Sequence, residues 1–155
     1  MGSLPHPFKG LEMRSPYIFI LILILIANAA FASLRTNSEK EIQQLYPEAA
    51  LDYEKYQINP TVKTEIETNT GQSFLQDFIF LWELRKENDM FAWAIVDAVR
   101  ARSAFITVLI ILNPNSEILN LIILDYRGEH GQNVTKQKWL DQFKGLSLHS
   151  GIMLN

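Results

Sequence analysis

Between Asp77 and Tyr126 the chain packs four apolar runs into fifty residues, and this limits its fold more tightly than any other feature. The first, Asp77 to Lys86 (DFIFLWELRK), is rich in β-branched and aromatic residues and reads as a strand. Glu87-Asn88-Asp89 forms a polar turn, and Phe91 to Val99 (FAWAIVDAV) returns as a second strand. Phe105 to Leu112 (FITVLIIL) is a third, followed by turn chemistry at Asn113-Pro114-Asn115-Ser116. Ile118 to Tyr126 (ILNLIILDY) is the fourth. Runs this apolar predict strands buried on both faces or packed under helices, rather than a sheet half open to water.

Short helices are expected around this block. Ser38 is a plausible N-cap with Glu41 as its capping-box partner, opening a helix to about Tyr46 that Pro47 stops. A second helix spans Pro60 to Thr68, capped by Asn59 and ended by Gly71. Lys136 to Phe143 (KQKWLDQF) places Trp139, Leu140 and Phe143 on one side of a third, closed by Gly145. The predicted fold class is α+β: a single small domain with a twisted antiparallel sheet of about four strands flanked by short helices, after an N-terminal apolar signal helix.

That N-terminal segment is YIFILILILIANAAFA, from Tyr17 to Ala32, with Lys9 and Arg14 ahead of it and no charge inside. Basic residues, an apolar stretch and small residues in that order make a secretory signal, and Ala30-Phe31-Ala32 predicts cleavage before Ser33. A retained anchor is the alternative, although the run is nearer 15 residues than the roughly 20 that cross a bilayer core. Either way, retention of positive charge inside places residues 33–155 in the periplasm or otherwise outside the cytoplasm. Membrane contact is then confined to residues 17–32, and only if they stay attached. Met13 is a likelier start than Met1, because Met13-Arg14 already opens a compact signal.

Composition excludes several function classes. The formal net charge of −3 offers no basic face for nucleic acid. With no cysteine there is no disulfide framework, thiolate metal site or thiol nucleophile. His6, His130 and His149 are too dispersed for a zinc site, and no Gly-x-Ser-x-Gly elbow exists for a hydrolase. A stand-alone hydrolase is therefore not expected.

The most informative stretch is Leu124-Asp125-Tyr126-Arg127-Gly128-Glu129-His130-Gly131, where an apolar strand empties into a charged loop with two glycines. Strand ends that open into glycine-containing loops expose backbone N–H groups to ligands, though the same loop also reads as a surface turn. Arg100 and Arg102, before the third strand, are candidates to receive a phosphate or simply carry charge on a solvated loop.

Asp125-Tyr126-Arg127-x-Glu129-His130-Gly131, followed by Trp139-Leu140-x-Gln142-Phe143-Lys144-Gly145, resembles the FMN-binding domain family. That family includes small exported FMN-binding proteins and the periplasmic flavin subunits of Rnf and sodium-pumping NADH:quinone reductase complexes. Arg102 to Leu109 is similar to the segment introducing the family's central strand. Asn115-Ser116-Glu117 stands where its hairpin usually has a glycine. The likeness covers roughly Phe91 to Gly145.

The resemblance implies an exported domain that holds FMN and exchanges electrons with a redox partner protein or a membrane electron-transfer complex. Arg127, Glu129, His130, Gly131 and Gln132 would line one side of the flavin, and Arg100, Arg102 and Thr107 would contact its phosphate or ring edge. Trp82, Trp93 and Trp139 read as core aromatics rather than flavin-stacking rings. The family's Ser/Thr-Gly-Ala-Thr attachment sequence is not matched: Ser150-Gly151 is followed by Ile152, and Met153 occupies the acceptor place. A thioether has no hydroxyl to esterify, so covalent flavin attachment is not expected. A truncated flavoprotein and a non-catalytic accessory domain on the same scaffold both account for this tail.

Overall fold

The computed structural model describes residues 16–100 and 104–147. They belong to two compact units, Met1–Thr36 and Asn37–Asn155. Arg102 and the tail residues Ser150 to Met153, on which the sequence places functional expectations, lie outside the described residues.

Helix α1 (Pro16–Leu45) is continuous across Ala32 and Ser33. Ser38 is therefore an interior helical residue and not the N-cap that its local pattern predicts, and Glu41 completes no capping box. A cap acts only where the chain enters a helix from outside, and the Ile, Leu and Ala residues upstream leave no such entry. Ser38 and Ile42, four residues apart on one helix face, are fully buried. In the other unit the described side chains of the apolar stretch, Ile20, Leu23, Ile24, Leu25 and Ile26, are 52–62% exposed. Counting only described residues, no helix is long and apolar enough to cross a membrane.

The second unit is built on one five-stranded antiparallel meander in the order β1-β2-β3-β4-β5. Four strands are those expected: β2 (Phe78–Lys86), β3 (Asp89–Arg100), β4 (Ala104–Leu112) and β5 (Ile118–Gly128). The fifth, β1 (Ala50–Gln57, ALDYEKYQ), is missed by sequence reasoning because charges at Asp52, Glu54 and Lys55 mask its alternation. An edge strand tolerates those charges, since one side of it meets solvent. Glu87 (φ 50°) and Asn88 (φ 73°) form the two-residue turn between β2 and β3, the left-handed pair that matches strand twist. Ser116 (φ 62°) takes the left-handed position in the β4–β5 hairpin, while Asn113 Oδ1 accepts from the N–H groups of Asn115 and Glu117.

The core sits on one face of this sheet. Phe80, Trp82 and Leu84 of β2, Ala92, Ala94 and Val96 of β3, and Leu109 and Ile111 of β4 are its buried residues. Trp82 is paired with Ala94 and Leu84 with Ala92, so large side chains stand beside small ones. The end of α1 fastens to this face where the Trp82 indole N–H donates to Glu39 at 3.2 Å.

Helix α2 (Pro60–Thr70) has the expected Asn59 cap and left-handed Gly71, and it buries no residue. The C-terminal segment is not one amphipathic helix. It is a 3-10 turn (Gln132–Thr135), a four-residue α3 (Gln137–Leu140) and a second 3-10 turn (Asp141–Phe143). Leu140 alone of it is buried, whereas Trp139 stays 41% exposed with its ring edge-on to Phe143. Gly145 (φ 78°) then turns the chain so that its N–H donates to the Ile118 carbonyl and the Leu146 carbonyl accepts from the Ile118 N–H, pairing with the start of β5.

Candidate functional site

Strand register brings several predicted site residues together. Arg100 on β3 pairs with Phe105 on β4, which pairs with Arg127 on β5, so two guanidinium-bearing residues flank an aromatic ring. One rung further in, Ala98, Thr107 and Asp125 form the next row on the same face. The Arg100 guanidinium lies 5.8 Å from the Phe105 ring centre, and that ring is 50% exposed. Arg127 Nε donates to Asp125 Oδ2 at 2.6 Å, so its charge is already engaged by a neighbour. Phe105 and Asp125 carry no predicted site role, and ladder pairing across three strands is what gathers them with residues that do.

The loop after β5 holds Glu129, His130, Gly131 and Gln132, all exposed. The Tyr126 hydroxyl donates to the His130 carbonyl, which ties the loop back to its own strand. Gly131 (φ 88°) passes so close to this hydroxyl that a Cβ there would stand 3.0 Å from it. Gly131 is thus required by the turn, whereas Glu129 and His130 point to no shared partner.

Clefts also lie elsewhere. One, of about 470 Å³, is lined by Tyr46, Pro47 and Glu48 with Lys86, Asp89 and Phe91. Phe91 reaches it as the extra residue of a bulge in β3, tilted against Tyr46 at 5.6 Å, while Lys86 pairs with Glu48 at 2.9 Å. Another, of about 330 Å³, lies among Glu41, Gln44, Asn120, Gln137, Asp141 and Lys144. Bonds from Gln137 and Lys144 hold the Asp141 carboxyl below its usual range. Among the described residues no group of three His, Asp or Glu is placed to hold a metal.

The sheet's other face corrects the expectation of strands covered on both sides. Its rows run Leu81–Ile95–Ile110–Leu121, then Asp97–Val108–Ile123, then Val99–Ile106. None of these residues is buried, so among the described residues this face lacks the second layer that its composition predicts. Trp93 belongs here too, half-buried, and not to the core. The alternating positions of Phe91 to Val99 and Phe105 to Leu112 are apolar at both parities, which is the signal for this face. Asp97 interrupts it: burial pushes its carboxyl upward, partly offset by the Ala98 N–H that donates to it at 2.8 Å.

Comparison with known protein families, with curated proteins and with solved structures finds no match for this chain.

Proposed function

We propose that the chain is an exported interaction domain, tethered by the apolar half of α1, that works by binding through the outward face of its sheet. The observation that carries this reading is the half-exposed apolar surface formed by β2, β3, β4 and β5. A monomer rarely leaves a large contiguous apolar surface in water, and one of this kind marks an interface. The tether is supported by the exposed apolar side chains of α1, because a helix apolar all round needs a non-aqueous surrounding. Cysteine labelling tests both parts, since the chain has no cysteine of its own. In intact cells a membrane-impermeant maleimide should modify Glu65→Cys on exposed α2 and react much more slowly with Ile110→Cys. No reaction at Glu65→Cys removes export; equal rates at both positions remove the covered face.

A second reading, an FMN-binding protein of extracytoplasmic electron transfer, is favoured by the Arg100–Phe105–Arg127 row. Guanidinium groups suit a phosphate, and an exposed ring suits a flat heterocycle. These residues fit only the phosphate end of FMN, because Arg127 is engaged by Asp125 and the row lies open. Added FMN should lose fluorescence saturably on the purified full chain, and Arg100→Ala should weaken that binding several-fold. A chain that leaves FMN fluorescence unchanged ends this reading and leaves the fold intact.

A further inference from the structure

We infer that the outward sheet face seats an amphipathic helix of a partner protein, apolar along one side and carrying Lys or Arg on the flank toward β1; this rests on the interaction reading above. Four strands at about 4.8 Å spacing and some seven residues at about 3.3 Å rise give an apolar area of about 20 by 23 Å in projection. That is short of the roughly 800 Å² that each side of a standard interface buries. It matches one helix about 10 Å across and about four turns long, laid along the strands. A helix is also a usual second layer on an antiparallel sheet.

Charge on this face is uneven, and the unevenness selects the occupant. Among the described residues its outward ladder positions hold the carboxylates of Asp52, Glu54, Glu83 and Asp97 against one base, Arg85. Arg85 is bonded to Glu83, which leaves Asp52, Glu54 and Asp97 uncompensated. At the outward positions of β4 and β5, among them Ile110, Leu121 and Ile123, no side chain is charged. Asp97 stands inside the apolar area, in the row with Val108 and Ile123. One of its oxygens accepts from the Ala98 N–H at 2.8 Å, and the other accepts from no described residue. A carboxylate half-withdrawn from water in an apolar surface is costly unless a cation meets it.

A helix with its apolar stripe on Ile95, Ile110 and Val108 answers both parts of this pattern. Its flank over β2 and β1 presents Lys or Arg, whose stems cover apolar surface while their heads reach Asp97, Asp52 and Glu54. Its other flank, over β5, meets no charge and needs none. Anionic lipid would set like charges together on the β1 side, where surfaces that seat on such lipid carry Lys and Arg instead.

The probes are two synthetic helices of about 15 residues with the same leucine stripe, one with lysines along a single flank and one with glutamates there. The full chain, held in discs of zwitterionic phosphatidylcholine, should bind the lysine peptide saturably by fluorescence anisotropy, beyond its binding to empty discs. The glutamate peptide should bind roughly tenfold more weakly. Asp97→Lys should reverse that preference. Should that variant fail to fold, Asp52→Lys with Glu54→Lys, on the exposed edge strand, should weaken binding of the lysine peptide about fivefold. No binding of the lysine peptide beyond empty discs, equal affinity for the two peptides, or a preference that these charge reversals leave unchanged overturns the inference. The labelling rate of Ile110→Cys in cells separates it from the reading it rests on. Slower labelling than at Glu65→Cys, without a preference between the peptides, leaves the interaction reading standing with another occupant, and equal rates remove both.

Discussion

Trp82 and Glu39 stand 43 residues apart and share one hydrogen bond, from the indole N–H to the carboxylate at 3.2 Å. The bond fixes the end of α1 to the second strand of the sheet, and Tyr53 closes the other side of the indole at 5.2 Å between ring centres. Trp82 is fully buried, so removing its acceptor leaves a polar N–H without a partner in the core. Glu39→Ala should cost about 1–2 kcal/mol in denaturant unfolding of the full chain. Trp82→Ala should cost about 3–5 kcal/mol, because a cavity is added to the lost bond. A Glu39→Ala chain as stable as the parent would mean that the helix end is held by Ile42 and Ser38 alone.

Asp97 predicts a pH dependence of opposite sign to that of an ion-paired carboxylate. Burial raises its carboxyl above the usual carboxylate range, the Ala98 N–H acting against it as a smaller effect. Its folded-state pKa therefore exceeds its unfolded one, so its contribution is complete below the unfolded value and is lost as pH rises through the folded value. The charged outward neighbours are Glu83 and Arg85, which neutralise each other, with Asp52 and Glu54 on the margin. Asp97→Asn keeps an acceptor for Ala98 and carries no charge. Its melting temperature at neutral pH should lie above the parent's, and the gap should close as pH falls below the usual carboxylate range. A gap constant with pH would show that ionisation of Asp97 is not its cause.

Much of this fold is legible in the sequence, and the failures have physical causes. Strands β2 to β5 announce themselves as apolar runs between turn signals, and Asn59, Gly71 and the Asn88 turn follow from local backbone chemistry. Strand β1 was hidden because its partner β2 supplies the apolar side of the pair, leaving β1 free to be charged. Ser38 misled because a cap motif is read locally, whereas the helix it sits in began far upstream. The candidate site was half legible: Arg100, Thr107 and Arg127 were found as a list. Phe105 and Asp125 join them only through register, which depends on partners in other strands. The apolar runs account for the composition of the outward face, but not for its having no second layer among the described residues.

Gly131 and Tyr126 make the loop after β5 testable without any ligand. A Cβ at Gly131 would meet the Tyr126 hydroxyl at 3.0 Å, and φ 88° is a conformation that side chains resist. Gly131→Ala should therefore displace the hydroxyl from the His130 carbonyl and destabilise the loop by about 1–2 kcal/mol. Amide exchange over residues 129–135 should quicken while that of β3 stays unchanged. Tyr126→Phe should quicken the same amides by a smaller factor, since it removes the bond but not the turn. Equal protection in all three chains would make the loop independent of this contact.

The fate of the N-terminal segment follows from the geometry of α1. A signal protease needs an extended chain across the bond it cuts, and the backbone is helical on both sides of Ala32-Ser33. Holding that bond within an unbroken helix lowers the population open to cleavage, so the chain should persist in its tethered form. The apolar run from Tyr17 to Ala32 is nearer 15 residues than the roughly 20 that cross a bilayer core, so the tether rests on the exposed apolar side chains of α1. The intact mass of the membrane-extracted chain should therefore include residues ahead of Ser33, and detergent but not carbonate should release it. Asn28→Pro removes a helical hydrogen bond and disfavours the helix there by about 3 kcal/mol. It should raise the released fraction that begins at Ser33. If the parent chain already begins at Ser33, the tether is wrong, and Ser33 to Leu45 alone would carry Ser38, Glu39 and Ile42 into the core.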